Sequence, residues 1–219
     1  MKINFKSLKP KSGKAESIVF FMHGYGANGQ DLLGIGEFFS ESLPNTMFIA
    51  PDAPWKCAMS PVGYQWFPIP WIDGSSEQEA NEKLEIASKE IDRWIDEILA
   101  NESLDSRNAF LFGFSQGTML SLHIGPRRFR SLGGIIGCSG KILDVNFLRS
   151  SVNSKPPILL MHGDQDDVVD FSFLREAVTE LESLKFNVKK HVSRGVGHGI
   201  SPDGIKVALD FLIDLIKRT

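Results

Sequence analysis

Ala109-Phe110-Leu111-Phe112-Gly113-Phe114-Ser115-Gln116-Gly117 is an apolar run that ends in the pattern G-x-S-x-G. The run suits a buried strand, and the residues after the pentapeptide are helix-competent. The serine therefore falls at a strand-to-helix turn. Glycines at 113 and 117 relieve crowding around so sharp a turn, and the hydroxyl of Ser115 is left above the sheet, within reach of a base. A serine hydroxyl alone is a weak nucleophile. It needs a base, an acid that orients the base, and donors for the negative charge that develops on a carbonyl oxygen. By itself the pentapeptide also fits a glycine-flanked surface turn. The context decides between the two.

Outward from this stretch, short apolar runs recur at Ile18 to Met22, Met47 to Ala50, Ile135 to Cys138 and Ile158 to Met161. Runs of this length without alternation fit a parallel sheet covered on both faces. Val188 to Val192 alternates and suits a strand nearer an edge. Helical periodicity fills the intervals. In Gln78 to Ala100, Leu84, Ala87, Ile91, Trp94, Ile95 and Ile98 share a face. Leu174, Ala177, Val178 and Leu181 do the same further on. Ser201 and Pro202 open a last helix whose face is Ile205, Ala208, Leu209, Leu212 and Leu215. Strands alternating with helices give an α/β fold, a mostly parallel central sheet flanked by helices on both faces. In such folds, sites gather at the carboxyl ends of the strands.

Three strand ends carry candidates. After Met22 comes His23-Gly24-Tyr25-Gly26-Ala27-Asn28-Gly29, a glycine-rich turn that leaves backbone N–H groups free. Tyr25 is the expected donor there, and Gln116, after the serine, is the expected second donor. The turn lacks the G-K-[ST] ending of a phosphate loop. After Met161 comes His162-Gly163-Asp164-Gln165-Asp166-Asp167-Val168-Val169. Asp164, Asp166, Asp167 and Asp170 compete for the role of acid, and spacing does not choose among them. The cluster lacks an EF-hand pattern, so no metal is expected. After Val192 comes Arg194-Gly195-Val196-Gly197-His198-Gly199, where flanking glycines suit a loop that holds an imidazole at a set angle. His23, His123, His162 and His191 read as structural histidines. The order serine, acid, histidine is that of the α/β-hydrolase arrangement.

Composition excludes several classes. The 219 residues fit one domain, with 24 Lys plus Arg against 27 Asp plus Glu. A net charge of −3 gives no reason to expect nucleic acid or an anionic membrane as partner. Arg127, Arg128 and Arg130 read as a solvated loop. Met1 to Lys6 has no apolar signal segment and no window reaches membrane-spanning length, so stable membrane insertion is not expected. Cys57, in an expected surface loop, and Cys138, in an expected core position, show no metal spacing. They fit a reduced cytoplasmic protein.

These residues resemble the carboxylesterase/phospholipase family that includes the acyl-protein thioesterases. The likeness rests on His23-Gly24-Tyr25-Gly26, Pro51-Asp52-Ala53-Pro54, Gly113-Phe114-Ser115-Gln116-Gly117, His162-Gly163-Asp164-Gln165-Asp166 and Gly197-His198. It implies a single α/β-hydrolase domain over 1–219 with a minimal cap, and it assigns the acid to Asp166. Asp164 is then a turn former and Asp167 a solvent-facing neighbour. Residues 53–75 are implied as a substrate-binding loop insertion, in which Met59, Trp66 and Trp71 are the expected pocket residues. The activity implied is hydrolysis of carboxylic esters or thioesters of short to medium acyl chains by a Ser115-His198-Asp166 triad, without metal or cofactor. A small-molecule or lipid ester is the implied substrate, and a homodimer is the family's habit. Acyl-protein thioesterase and lysophospholipase are the alternatives of substrate. Dienelactone hydrolases usually carry cysteine at position 115, and peptidases of this fold bring a larger lid. A non-catalytic hydrolase-fold binding protein would commonly show a broken triad.

Overall fold

The computed structural model describes residues 3–218. In chain order the elements are β1 (Phe5–Leu8), β2 (Ser17–Met22), α1 (Gln30–Ser40), β3 (Thr46–Pro51), β4 (Trp55–Lys56), β5 (Tyr64–Gln65), α2 (Pro70–Asp73) and α3 (Glu77–Asn101). They continue with β6 (Ala109–Phe114), α4 (Gln116–Ile124), β7 (Gly134–Cys138), α5 (Val145–Ser151), β8 (Ile158–Gly163), α6 (Ser172–Ser183), β9 (Val188–Ser193) and α7 (Pro202–Ile216).

Among the described residues, seven strands form one sheet in the order β1-β3-β2-β6-β7-β8-β9. Only β1 runs antiparallel, against β3; the other pairings are parallel. The apolar runs of β2, β6, β7 and β8 are buried along their whole length, apart from Phe114 at the tip of β6. Alternation then sorts each strand onto two cores. Ile18, Phe20 and Met22 face a layer made by α3, α4, α5 and α6. Val19 and Phe21 face α1 and α7. This is the two-faced α/β-hydrolase sheet that the apolar runs imply, and β1 and β9 are its exposed edges.

Two features depart from the sequence reading. Arg128 is not solvated. Its side chain is buried, with the guanidinium paired to Asp92 and Asp96 of α3. The two aspartates are four residues apart and so share one face of the helix. Cys57 is also buried rather than on the surface, and both cysteines are free thiols.

Candidate active site

The turn from β6 to α4 is held from several sides. Ser115 has φ 51° and ψ −115°, a backbone conformation that L-residues adopt only when their surroundings force it. Its N–H donates to Cys138 O (2.8 Å), and Thr118 Oγ1 donates toward both Gly113 O (2.9 Å) and Cys138 O (2.8 Å). Glycine at 117 is a steric demand. A Cβ there would lie 1.8 Å from Met22 O, because α4 starts directly against β2. The N–H of Gln116, first in α4, has no intrahelical acceptor.

The acid turn and the histidine loop are hydrogen-bonded to each other. Gln165 N–H donates to Val196 O (3.0 Å), and Gly195 N–H donates to Asp164 Oδ1 (2.7 Å). Asp166, with its side chain fully buried, accepts at Oδ1 from the N–H groups of Val168 (3.0 Å) and Val169 (2.9 Å). His198 Nδ1 lies 2.8 Å from Oδ2 and 3.0 Å from Oδ1. A carboxylate accepts only, so Nδ1 carries the proton and Nε2 keeps its lone pair. Burial pushes the Asp166 carboxyl up, but hydrogen bonds from Val169, His198 and Val168 outweigh it and hold it below the usual carboxylate range. The ring of His198 packs on Phe114, the neighbour of Ser115, at 4.9 Å between centroids. Among the four competing carboxylates, Asp166 is the one bonded to His198, and Asp167 is exposed.

His162, a structural histidine on the sequence pattern, has a specific contact. Its Nε2–H donates to Val169 O (2.8 Å), and the same nitrogen lies 3.2 Å from Asp166 Oδ2. The Asp166 carboxylate is thus flanked by two imidazoles. Among the described residues, no group of three or more His, Cys, Asp or Glu side chains is arranged to hold a metal ion.

The expected pocket residues separate. Trp71, on α2, is 67% exposed and lines a cavity of about 440 Å³ together with Phe67, Leu84, Met119, Lys141 and Phe147. Met119 lies one helical turn beyond Ser115, its N–H donating to Ser115 O (3.2 Å). Lys141 Nζ sits 4.8 Å from the Trp71 ring and 5.0 Å from the Phe173 ring. Met59 is exposed but is not on the wall of this cavity. Trp66 is fully buried and belongs to the core, which corrects its reading as a pocket residue. Its indole Nε1–H has an acceptor inside, His23 O at 2.8 Å, and that bond draws it inward. Sequence reasoning missed Met119, Phe147 and Lys141. The spacing of Met119 from Ser115, four residues along a helix, was the available signal.

A serine turn after β6, a carboxylate after β8 and a histidine after β9, on a sheet of this order, are the arrangement of the α/β-hydrolase fold. The model of the phospholipase/carboxylesterase family matches residues 4–216, and the chain belongs to that family of hydrolases. Acyl-protein thioesterase 1 homolog 1 of Dictyostelium discoideum is 28% identical over 206 residues, covering 91% of each chain. The crystal structure of esterase PE8 matches with a TM-score of 0.93 at 38% identity, over 98% of this chain and 100% of that one. That of Arabidopsis thaliana SOBER1 matches with a TM-score of 0.76 at 28% identity, over 92% and 98%. No helix among the described residues is long and apolar enough to cross a membrane.

Proposed function

We propose that this chain hydrolyses carboxylic esters or thioesters of short to medium acyl chains through Ser115, His198 and Asp166. The observation that carries the reading is the His198 Nδ1–Asp166 Oδ2 bond of 2.8 Å, which leaves Nε2 as the free base of a histidine packed beside the Ser115 turn. His198 Nε2 takes the proton from Ser115 Oγ as the oxygen attacks the acyl carbon. Asp166 holds the imidazole tautomer and stabilises the imidazolium. The backbone N–H groups of Tyr25 and Gln116 receive the oxyanion; a lost donor of this kind costs about 3–4 kcal/mol. His198 then gives its proton to the leaving alcohol or thiol, and water repeats the sequence on the acyl-enzyme.

Phe67, Trp71, Met119 and Phe147 give the cavity an apolar side that supports an acyl group as its occupant, while Glu77, Glu85, His123 and Asp144 make another part of its wall polar. The names of the relatives, acyl-protein thioesterase and esterase, support ester and thioester chemistry alike. A series of p-nitrophenyl esters and acyl-CoA thioesters of increasing length, with wild type and Ser115→Ala, tests this. Turnover confined to wild type and peaking at short to medium chains is expected. Equal turnover by Ser115→Ala would end the reading.

A further inference from the structure

We propose that His23 and Trp66 are positioning residues of the oxyanion hole: His23 aims the peptide that carries the Tyr25 N–H, and Trp66 ties that loop to Gln116. The proposal rests on the reading of Tyr25 and Gln116 as the oxyanion donors.

The Tyr25 N–H belongs to the same peptide unit as Gly24 O. That carbonyl accepts from His23 Nδ1–H at 2.7 Å. A trans peptide is planar with its C=O and N–H opposed, so holding the carbonyl on one side directs the N–H to the other. The imidazole is itself fixed. Its Nε2 accepts from Ala53 N–H (3.0 Å), which sets the Nδ1–H tautomer without ambiguity. Burial pulls the His23 pKa down, which keeps the ring in the neutral form that this pattern requires.

Trp66 spans from this loop to the other donor. Its indole Nε1–H donates to His23 O (2.8 Å), and its ring lies 5.0 Å from the His23 ring. Its backbone N–H donates to Gln116 Oε1 (2.9 Å), while Gln116 Nε2 donates to Phe67 O (2.7 Å). Gln116 and Trp66 are both fully buried. The side chain of the residue expected to give the second donor is therefore clamped to the same tryptophan that holds the first loop. All these bonds are closed off from water, so none can be replaced by solvent when it is lost.

A positioning role and a pocket-wall role predict different kinetics. Trp66→Phe keeps an aromatic ring and removes the Nε1–H. We expect kcat to fall about 10-fold or more, short of the ~10³ that removal of an oxyanion donor can cost. KM stays within about 3-fold and the loss is the same for acetyl and octanoyl esters, because only the transition state uses the donors. The Ki of a trifluoromethyl ketone inhibitor rises in parallel. His23→Asn retains a donor toward Gly24 O and keeps more of kcat than His23→Leu, which has none. A KM increase that depends on chain length at unchanged kcat would overturn the proposal, as would equal losses in His23→Asn and His23→Leu. Ser115→Ala measured alongside separates the two levels. If it retains wild-type turnover, the hydrolase reading falls and takes the proposal with it. If it is inactive while Trp66→Phe matches wild type, the proposal alone falls.

Discussion

Replacing Asp166 by asparagine changes one atom and, in this geometry, inverts the chemistry of His198. The carboxylate accepts two backbone N–H bonds at Oδ1, from Val168 at 3.0 Å and Val169 at 2.9 Å. An asparagine must put its amide oxygen there, because an NH2 group would face two donors. Its NH2 then occupies the Oδ2 position, 2.8 Å from His198 Nδ1. The amide oxygen at Oδ1 also lies 3.0 Å from that nitrogen but is already taken by two backbone donors, so the closer NH2 makes Nδ1 an acceptor, the ring proton moves to Nε2, and the histidine has no lone pair to offer Ser115. Inverting the tautomer of a triad histidine in this way costs about 10⁴ in kcat. Asp167→Asn, at an exposed neighbour, should stay within about 3-fold of wild type, as surface changes usually do. The assay is steady-state hydrolysis of p-nitrophenyl acetate by both purified variants, with circular dichroism to check folding. A folded Asp166→Asn protein retaining a tenth of wild-type kcat would refute the tautomer argument. So would a larger loss in Asp167→Asn.

Other consequences are equally direct. In Gly117→Ala the new Cβ must escape Met22 O, so α4 shifts by about 1 Å or more, a misplacement that costs ~10²-fold in rate. Gly34→Ala, in open space on α1, instead raises stability by about 0.5–1 kcal/mol without changing turnover, read by thermal melting. Burial lowers the pKa of His23, against Asp52 and Asp31, and of His123, among Arg127, Glu85 and Asp144. The unfolded chain then takes up these protons first, near pH 6.5, so stability is full above that value and declines as pH falls toward the depressed folded pKa values. Urea midpoints between pH 7.5 and 5 check this, and a midpoint that rises on acidification contradicts it. Arg128→Ala should cost about 1–3 kcal/mol in urea unfolding with turnover unchanged, less than a fully buried pair because Asp92 and Asp96 keep contact with solvent.

The sheet was legible because β2, β6, β7 and β8 are buried on both faces and so must be apolar throughout. β1 was not. Its residues Phe5 to Leu8 are mostly exposed at an antiparallel edge, which leaves no apolar run to read. α1 escaped because Gly36 interrupts its buried face, where it lets Phe48 and Phe21 approach. The catalytic candidates were legible because a sharp turn and two glycine-framed loops leave marks on sequence at fixed places in the strand order. Residues 53–75 carry no period, and composition alone does not distinguish rings that turn outward from rings that turn inward. Trp71 lines a cavity and Trp66 fills the core, yet both sit in the same apolar stretch. Arg128 was misread for a related reason. Its partners lie more than thirty residues away, on a helix that sequence alone does not bring alongside.

The central claim is that Ser115 attacks the acyl carbon. A fluorophosphonate probe tests it directly, read by intact mass and peptide mapping on wild type and on Ser115→Ala. The account predicts one adduct per active wild-type chain, on the peptide containing Ser115, and none on the variant. Active protein that acquires no adduct, or an adduct that maps elsewhere and abolishes turnover, would contradict it.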